Sequence, residues 1–207
     1  MARHPPSARC GSSQRVCRDP ERALGDYAEP VLLTAARSAL LIVDLQERLV
    51  PAIAGGDQVV ANVALLGQAA GLLDVPVAAT EQYPQGLGPT VPELAAFPQF
   101  VMPKTAFSAV AEPGFDMLLP PGRDEIVVVG AEAHVCVLQT VIGLRERDHR
   151  VVLVSDAVGS RVVGNRDAAL QRAREHGAEV VSTEMVLFEW LRDSHHTAFR
   201  DVQKLIR

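Results

Sequence analysis

Six short runs of apolar residues alternate with segments of helical spacing from Ser38 to the end of this chain. In chain order the runs cover residues 39–43, 77–79, 100–102, 126–129, 151–154 and 180–181. Helices are expected near residues 59–73, 137–144, 166–176, 184–191 and 197–206. Runs that are apolar throughout suit strands buried on both faces, as in parallel sheets covered by helices. The alternation therefore predicts a single α/β domain, a three-layer α/β/α fold with a mostly parallel six-stranded sheet.

The composition is that of a globular protein with a substantial core. Of the 207 residues, 48% are hydrophobic and 22% are charged, which argues against disorder. A net charge of −5 argues against a nucleic-acid partner, and no apolar run approaches the ~18 residues that span a membrane. No apolar segment typical of a secretory signal occurs near the start, and three cysteines make no disulfide framework. A cytoplasmic location is therefore predicted.

The first 28 residues differ in composition from the rest of the chain. They lack sustained periodicity and are rich in Arg, Ser, Pro and Gly. We therefore predict a flexible N-terminal extension over residues 1–28 and a folded domain over residues 29–207. Cys10 and Cys17 lie in the extension with His4 as the nearby histidine. A metal site there needs more ligands, so we interpret both cysteines as incidental thiols.

Three reactive side chains follow predicted strands at their carboxyl ends. Asp44 follows the first strand, Lys104 the third and Cys136 the fourth. Because ligands bind at that edge of an open parallel sheet, we expect an acid, a cation and a thiol to meet there. Each also has a plainer interpretation: Asp44 as a helix cap, Lys104 as a solvated lysine, and Cys136 as a small core residue. Together they predict an activated nucleophile.

The surroundings of Cys136 predict an unusual thiol. Residues 127–137 have the pattern of a buried strand, a tight turn and the first turn of a helix. A thiol at that position meets the positive end of the helix dipole and unpaired backbone N–H groups. Both favour the thiolate, so the position predicts a nucleophilic cysteine.

Several segments of the chain resemble the isochorismatase-like cysteine hydrolases. The three signature segments are residues 44–46 (DLQ), 104–105 (KT) and 130–137 (GAEAHVCV). The similarity extends from about Ser38 to Arg207. Residues 80–90 (TEQYPQGLGPT) and 155–161 (SDAVGSR) resemble the isochorismatase domain-containing subgroup most closely. The resemblance implies the Rossmann-like fold of that family.

The resemblance also implies a catalytic triad of Asp44, Lys104 and Cys136. Asp44 would take the thiol proton and later deliver it to the leaving group, and Cys136 would form a thioester-type intermediate. Lys104 would hold the carboxylate and favour the thiolate. The family carries a non-proline cis peptide, which by position falls between Ala131 and Glu132 and would aim backbone N–H groups, including that of Cys136, at the oxyanion. Ala131 departs from the family, where a larger aliphatic residue is more usual.

The segment after the second predicted strand is expected to line the pocket or to hold its loop. It contributes Glu81, Gln82 and Tyr83, and Gln46 is a fourth substrate-binding candidate that is also expected to hydrogen-bond within the Asp44 loop. Nicotinamidases of this superfamily carry a metal-binding Asp-x-His cluster here, whereas no histidine occurs between residues 5 and 133. The sequence therefore predicts no metal and, without a nucleotide-binding glycine motif, no cofactor.

Two polar residues flank the turn before Cys136. His134 suggests a Cys–His dyad, but a residue at that offset need not face the sulfur, so a structural role is favoured. For Glu132, burial beside the pocket and hydrogen bonding within the loop are both open.

The function predicted from the resemblance is cofactor-free hydrolysis of a small molecule at an amide-like C–N bond or a related carbonyl group. Three alternatives stay open: vinyl ether hydrolysis as in isochorismatases, a binding or scaffold protein with little turnover, and a thiol redox sensor. A homo-oligomer is expected from the family. The apolar residues of the C-terminal helices either supply its interface or cover the sheet: Val186, Leu187, Trp190, Leu191, Leu205 and Ile206.

Overall fold

The computed structural model describes residues 32–206, so the extension predicted for residues 1–28, with Cys10 and Cys17, lies outside the described residues. The strands in this range are β1 Ser38–Val43, β2 Val77–Gln82, β3 Phe100–Lys104, β4 Glu125–Ala131, β5 Arg150–Gly159 and β6 Glu179–Val181. The α-helices are α1 Gly56–Leu72, α2 Pro84–Leu87, α3 Leu138–Arg145, α4 Val163–Glu175, α5 Thr183–Leu191 and α6 Phe199–Leu205. Shorter turns are the 3-10 segments Val50–Ala52, Ala109–Ala111 and Phe115–Met117 and the π-helical turn Ala133–Val137. None of the helices in the described range is both long enough and apolar enough to span a bilayer.

The strands form one sheet in the order β3-β2-β1-β4-β5-β6, and every pairing is parallel. The chain builds outward from β1 to β3 and then returns to the other side of β1 with β4. The order therefore reverses between β1 and β4, whose paired residues extend from Ser38 and Glu125 to Val43 and Gly130. In open sheets the crevice for ligands lies at the carboxyl ends of such a pair. The predicted three-layer fold with six strands is confirmed.

Helices cover both faces of the sheet, which explains why the strands are apolar throughout. On one face α1, α5 and α6 pack against alternate strand residues such as Ile42 and Val129. On the other face α3 and α4 pack against Leu41 and Val128. All residues of β1 and β4 are buried. The two central strands therefore hold the site on a rigid base.

The apolar residues of the C-terminal helices belong to this core. Four of them are at most 2% exposed: Val186, Leu187, Trp190 and Leu191. Leu205 and Ile206 are partly buried against the same core. The indole N–H of Trp190 also donates a 2.9 Å hydrogen bond to Ser38 Oγ. Of the two alternatives for these residues, the observed contacts are those of side chains that cover the sheet.

Several strands extend beyond the apolar runs at their carboxyl ends. β2 continues through Glu81 and Gln82, and β3 continues through Pro103 and Lys104. The strand ladder pairs these four residues with each other, Glu81 with Pro103 and Gln82 with Lys104. Polar side chains are thus brought to the edge of the sheet at which the candidate site lies.

Candidate active site

Asp44 lies in the turn directly after β1 and is fully buried. Its backbone is left-handed (φ 53°), which is uncommon for a residue other than glycine. Oδ1 accepts a 2.7 Å hydrogen bond from Thr80 Oγ1. Oδ2 lies 2.7 Å from Lys104 Nζ but accepts no well-aligned hydrogen bond from any residue in the described range. The helix-cap interpretation is wrong, since the next helical turn begins only at Val50.

Lys104 is the last residue of β3, and its side chain is entirely buried. Besides the ion pair with Asp44, Nζ donates hydrogen bonds to Gln82 Oε1 at 2.6 Å, the Phe107 carbonyl at 3.1 Å and the Ala106 carbonyl at 3.3 Å. Four acceptors among the described residues therefore surround an ammonium group that carries three protons. The solvated-lysine interpretation is wrong, because the side chain turns inward to the sheet edge.

Cys136 lies in the π-helical turn between β4 and α3 and is 6% exposed. Its Sγ is 3.9 Å from Gln82 Oε1. Burial, followed by the Asp44 carboxylate, raises the pKa of Cys136 to about 12, while Lys104 opposes the rise. Burial and the carboxylate therefore oppose the thiolate that a position at a helix terminus favours. Cys136 keeps its proton at neutral pH.

The end of β4 brings Cys136 close to Asp44 through an unusually tight strand contact. Gly130 has a φ of 133°, and a Cβ atom there would lie 2.1 Å from the carbonyl oxygen of Val43. Only glycine allows β4 to approach the end of β1 so closely. The second peptide bond after Gly130, between Ala131 and Glu132, is cis, at the position where the family resemblance places one. The chain then enters the turn that carries Cys136.

Glu132 connects the loop after β4 to the loop after β5. It is buried, and its carboxylate accepts hydrogen bonds from the backbone N–H of Arg161 at 3.1 Å and from the Arg161 guanidinium Nε. Of the two roles left open for Glu132, the contacts are those of hydrogen bonding between loops.

His134 contacts groups other than the cysteine. Its Nδ1 lies 3.0 Å from Ser160 Oγ and 3.4 Å from Glu132 Oε2, and its Nε2 lies 3.3 Å from Asn165 Nδ2. Because both ring nitrogens have these partners, His134 holds the loop together and does not form a dyad with Cys136.

Two of the four pocket candidates are occupied with holding loops. Gln46 is fully buried; its Oε1 accepts from the Gln82 N–H at 2.8 Å, and its Nε2 donates to the carbonyls of Gln82 and Gly88 at 3.0 and 2.6 Å. Glu81 Oε1 accepts from the N–H and the hydroxyl of Thr90 at 2.7 and 2.9 Å. Substrate contact by Gln46 does not fit this geometry, since its whole amide is bound to backbone groups.

The other two candidates lie closer to the reactive groups. Gln82 Oε1 bridges Lys104 Nζ and Cys136 Sγ, while Gln82 Nε2 donates to the Thr105 carbonyl at 2.9 Å. Tyr83 is 59% exposed and, with Lys104 and Thr105, lines a cleft of about 260 Å³. Gln82 therefore contacts both Lys104 and Cys136, and Tyr83 forms part of the cleft wall.

Comparison with known proteins agrees with this fold. The family described as the isochorismatase domain matches residues 38–185. The chain belongs to the isochorismatase family. Isochorismatase domain-containing protein 2 of Danio rerio is 41% identical over 175 residues, which cover 84% of this chain and 89% of that protein.

Solved structures of isochorismatase-like proteins have the same fold. A structure described as MAR1 ribonuclease from Caenorhabditis elegans is 37% identical with a TM-score of 0.80, covering 84% of this chain and 92% of that chain. The YcaC gene product of Escherichia coli, described as an octameric hydrolase of unknown specificity, is 24% identical with a TM-score of 0.75. It covers 86% of this chain and 96% of its own, and it shares the fold.

One contact of this isochorismatase-family site is absent from the sequence-based predictions. Thr80, which fixes Asp44 Oδ1, looks like an ordinary strand residue in the sequence. The signal that identifies it is the sheet register, because Thr80 is the partner of Val43 in the β1–β2 pair and so lies beside Asp44.

Among the described residues, no group of three or more His, Cys, Asp or Glu side chains has the arrangement of a metal site.

Proposed function

We propose that this isochorismatase-family protein is a cysteine hydrolase that cleaves an amide-like C–N bond, or a related carbonyl group, of a small molecule. The observation that carries the proposal is the buried Asp44–Lys104 ion pair beside the Cys136 thiol. A buried ion pair contributes little net stability, so its presence beside a thiol at the ligand-binding edge favours a chemical role. All of the proposed chemistry is carried by protein groups.

The first proposed step couples proton transfer to attack. Cys136 is a thiol at neutral pH, so it needs a base at the moment it reacts. Asp44 is suited to this, because Thr80 fixes Oδ1 while Oδ2 has no aligned donor among the described residues. As Sγ bonds to the carbonyl carbon, its proton passes to Asp44 and the carbonyl electron pair moves onto oxygen. Lys104 holds the Asp44 side chain in position for this transfer, and backbone N–H groups near Cys136 are the proposed donors to the oxyanion.

The second proposed step releases the two products. The tetrahedral intermediate collapses, the C–N bond breaks, and the leaving amine takes the proton from Asp44. A thioester remains on Cys136. Water attacks it and gives a proton to Asp44, the acid is released, and the proton returns to the sulfur.

Other activities fit the site less well. A ribonuclease must neutralise phosphates with cations, whereas Lys104 already has four acceptors and the chain has a net charge of −5. Vinyl ether hydrolysis leaves Cys136 without a task. A peroxide sensor needs a thiolate, and the pKa of Cys136 is raised. We therefore propose a small molecule, and no nucleic acid, as the substrate.

A substrate panel with mass spectrometry tests the proposal. The wild-type protein and the variants C136A and D44N are incubated with small amides, ureas, imides and isochorismate. Trypsin releases residues 124–145 as one peptide in which Cys136 is the only cysteine. The proposal expects products and an acyl adduct on this peptide in the wild type, and neither in the variants. Full turnover by C136A would show that the mechanism is wrong, and ligand binding without turnover would favour a binding protein.

We also propose a homo-oligomer in the cytoplasm. The octameric description of the YcaC relative supports the first part, as do Phe100 and Val101 on the edge strand β3, which are 58% and 45% exposed. A free thiol at Cys136 suits a reducing compartment. Light scattering coupled to gel filtration tests the oligomer, and a monomer mass would contradict it.

A further inference from the structure

Glu112 lies beside the proposed triad without belonging to it. One of its carboxylate oxygens, Oε1, accepts the backbone N–H of Thr105 and that of Ala106, both at 2.5 Å, and the Thr105 hydroxyl at 3.2 Å. These two residues directly follow Lys104. A single carboxylate oxygen thus holds the first part of the turn that leaves β3.

The same turn holds the ammonium group of Lys104. The carbonyls of Ala106 and Phe107 accept hydrogen bonds from Nζ at 3.3 and 3.1 Å. Its other two described partners, Asp44 and Gln82, belong to the ends of other strands. Half of the acceptors around Nζ therefore depend on a turn whose amides are bound by Glu112.

We propose that Glu112 is a positioning residue that sets Lys104 against Asp44 and Cys136 by fixing the turn at residues 105–107. The catalytic consequence of this inference rests on the proposed function, whereas the positioning itself does not. The two backbone N–H groups lower the pKa of Glu112, so the carboxylate stays ionised and keeps its acceptors at working pH. Glu112 also lines the cleft beside Lys104 and Tyr83.

The thiol of Cys136 reports the position of Lys104 without any substrate. The charged groups that act on it are Asp44, which raises its pKa, and Lys104, which lowers it. If Lys104 withdraws, the thiolate fraction falls about tenfold for each unit by which the pKa rises. Because alkylation follows the thiolate, this readout stays valid even if the protein hydrolyses nothing.

The experiment compares rates of Cys136 alkylation by iodoacetamide between pH 8 and 10, read from the tryptic peptide 124–145. We expect E112A to slow the reaction by about 3- to 10-fold at each pH. E112Q should stay within about twofold of wild type, because its single Oε1 still accepts from the turn. E93A, which changes an exposed glutamate of another loop, is the matched control and should react as wild type does.

A double variant, in which E112A is added to K104M, tests whether Glu112 acts through Lys104. In K104M, adding E112A should have no further effect on the rate. An E112A protein that alkylates as fast as wild type or faster, or an equal slowing by E112A in both backgrounds, would overturn the proposal. Circular dichroism checks folding, and E112D, whose side chain is one methylene shorter, replaces E112A if that variant does not fold. The single variants decide the outcome if K104M does not fold.

Discussion

The Nζ atom of Lys104 lies 2.7 Å from the Oδ2 atom of Asp44, and neither side chain is exposed to solvent. The two residues come from strands that are not neighbours, since β2 lies between β1 and β3. The lysine therefore reaches across the end of β2, where Gln82 accepts one of its hydrogen bonds. Two buried charges held in this way depend on each other.

The first prediction concerns the stability of this pair. D44N and K104M should each lower the free energy of unfolding by about 3–5 kcal/mol, because each leaves one buried charge without its partner. The double variant should lose less than the sum, since neither charge is left. Urea unfolding measures all three. The exposed pair Lys204–Asp201, which is 2.8 Å apart, is the control and should contribute less than about 1 kcal/mol. Strictly additive losses at Asp44 and Lys104 would contradict the prediction.

The second prediction concerns the reactivity of Cys136. With a pKa of about 12, the thiol should alkylate about tenfold faster for each pH unit between pH 7 and 10, with no plateau. D44N should react faster than wild type at every pH in this range, because removal of the carboxylate lowers the pKa of the thiol. The same variant should lose turnover under the proposed mechanism. A plateau below pH 9 would show that the thiol is already ionised, and slower alkylation of D44N would show that the carboxylate does not raise the pKa of the thiol.

The third prediction concerns the contact between β1 and β4. G130A should lower the free energy of unfolding by about 3 kcal/mol, since the added Cβ meets the Val43 carbonyl and the backbone is left-handed. It should also change the alkylation rate of Cys136, which follows Gly130 by six residues. G164A is the matched control: a Cβ at this position in α4 meets nothing within 4 Å, so a gain of about 0.5–1 kcal/mol is expected. Equal unfolding midpoints for the two variants would refute the role of the contact.

The fourth prediction concerns Glu125, a fully buried carboxylate at the start of β4. It accepts from the Thr34 N–H at 2.8 Å and from the Arg150 guanidinium at 3.0 Å. E125Q should lower the free energy of unfolding by about 2–4 kcal/mol. The substitution replaces one acceptor oxygen by an NH2 group, which is itself a donor and faces the donors of Thr34 or Arg150. Glu179 bonds the same arginine from a half-exposed position, so E179Q should cost less than about 1 kcal/mol. Urea unfolding of both variants at one pH makes the comparison, and equal losses would argue against it.

The sheet could be predicted from the sequence because its strands are buried on both faces. The predicted runs 39–43 and 126–129 lie within β1 and β4 and miss at most two residues at either end. The polar ends of β2 and β3 could not be predicted from the sequence, because residues such as Gln82 and Lys104 join the strands through contacts with each other. For the C-terminal helices, an apolar pattern alone does not say whether it covers a sheet or a second subunit.

The triad residues could be proposed from their positions after strands, because parallel strands end at the same edge. The protonation of Cys136 could not, since it depends on burial and on the distance to a carboxylate 92 positions earlier in the sequence. The helix terminus, which favours the thiolate, can be recognised in the sequence, whereas burial and the nearby carboxylate, which oppose it, depend on the fold. Glu112 was likewise invisible, because its role depends on the geometry of one turn.

The pairing of β1 with β4 determines how the proposed base and nucleophile are held. Asp44 leaves β1 and the turn of Cys136 leaves β4, and the two strands are joined by an uninterrupted ladder that is buried on both faces. The path of the proposed proton transfer therefore lies in a stiff part of the scaffold before any ligand arrives. Preorganisation of this kind leaves little rearrangement to accompany the reaction. Substrate binding then has to orient only the substrate. The loops around the cleft determine which substrate binds, and their sequences can vary without disturbing the proposed proton transfer.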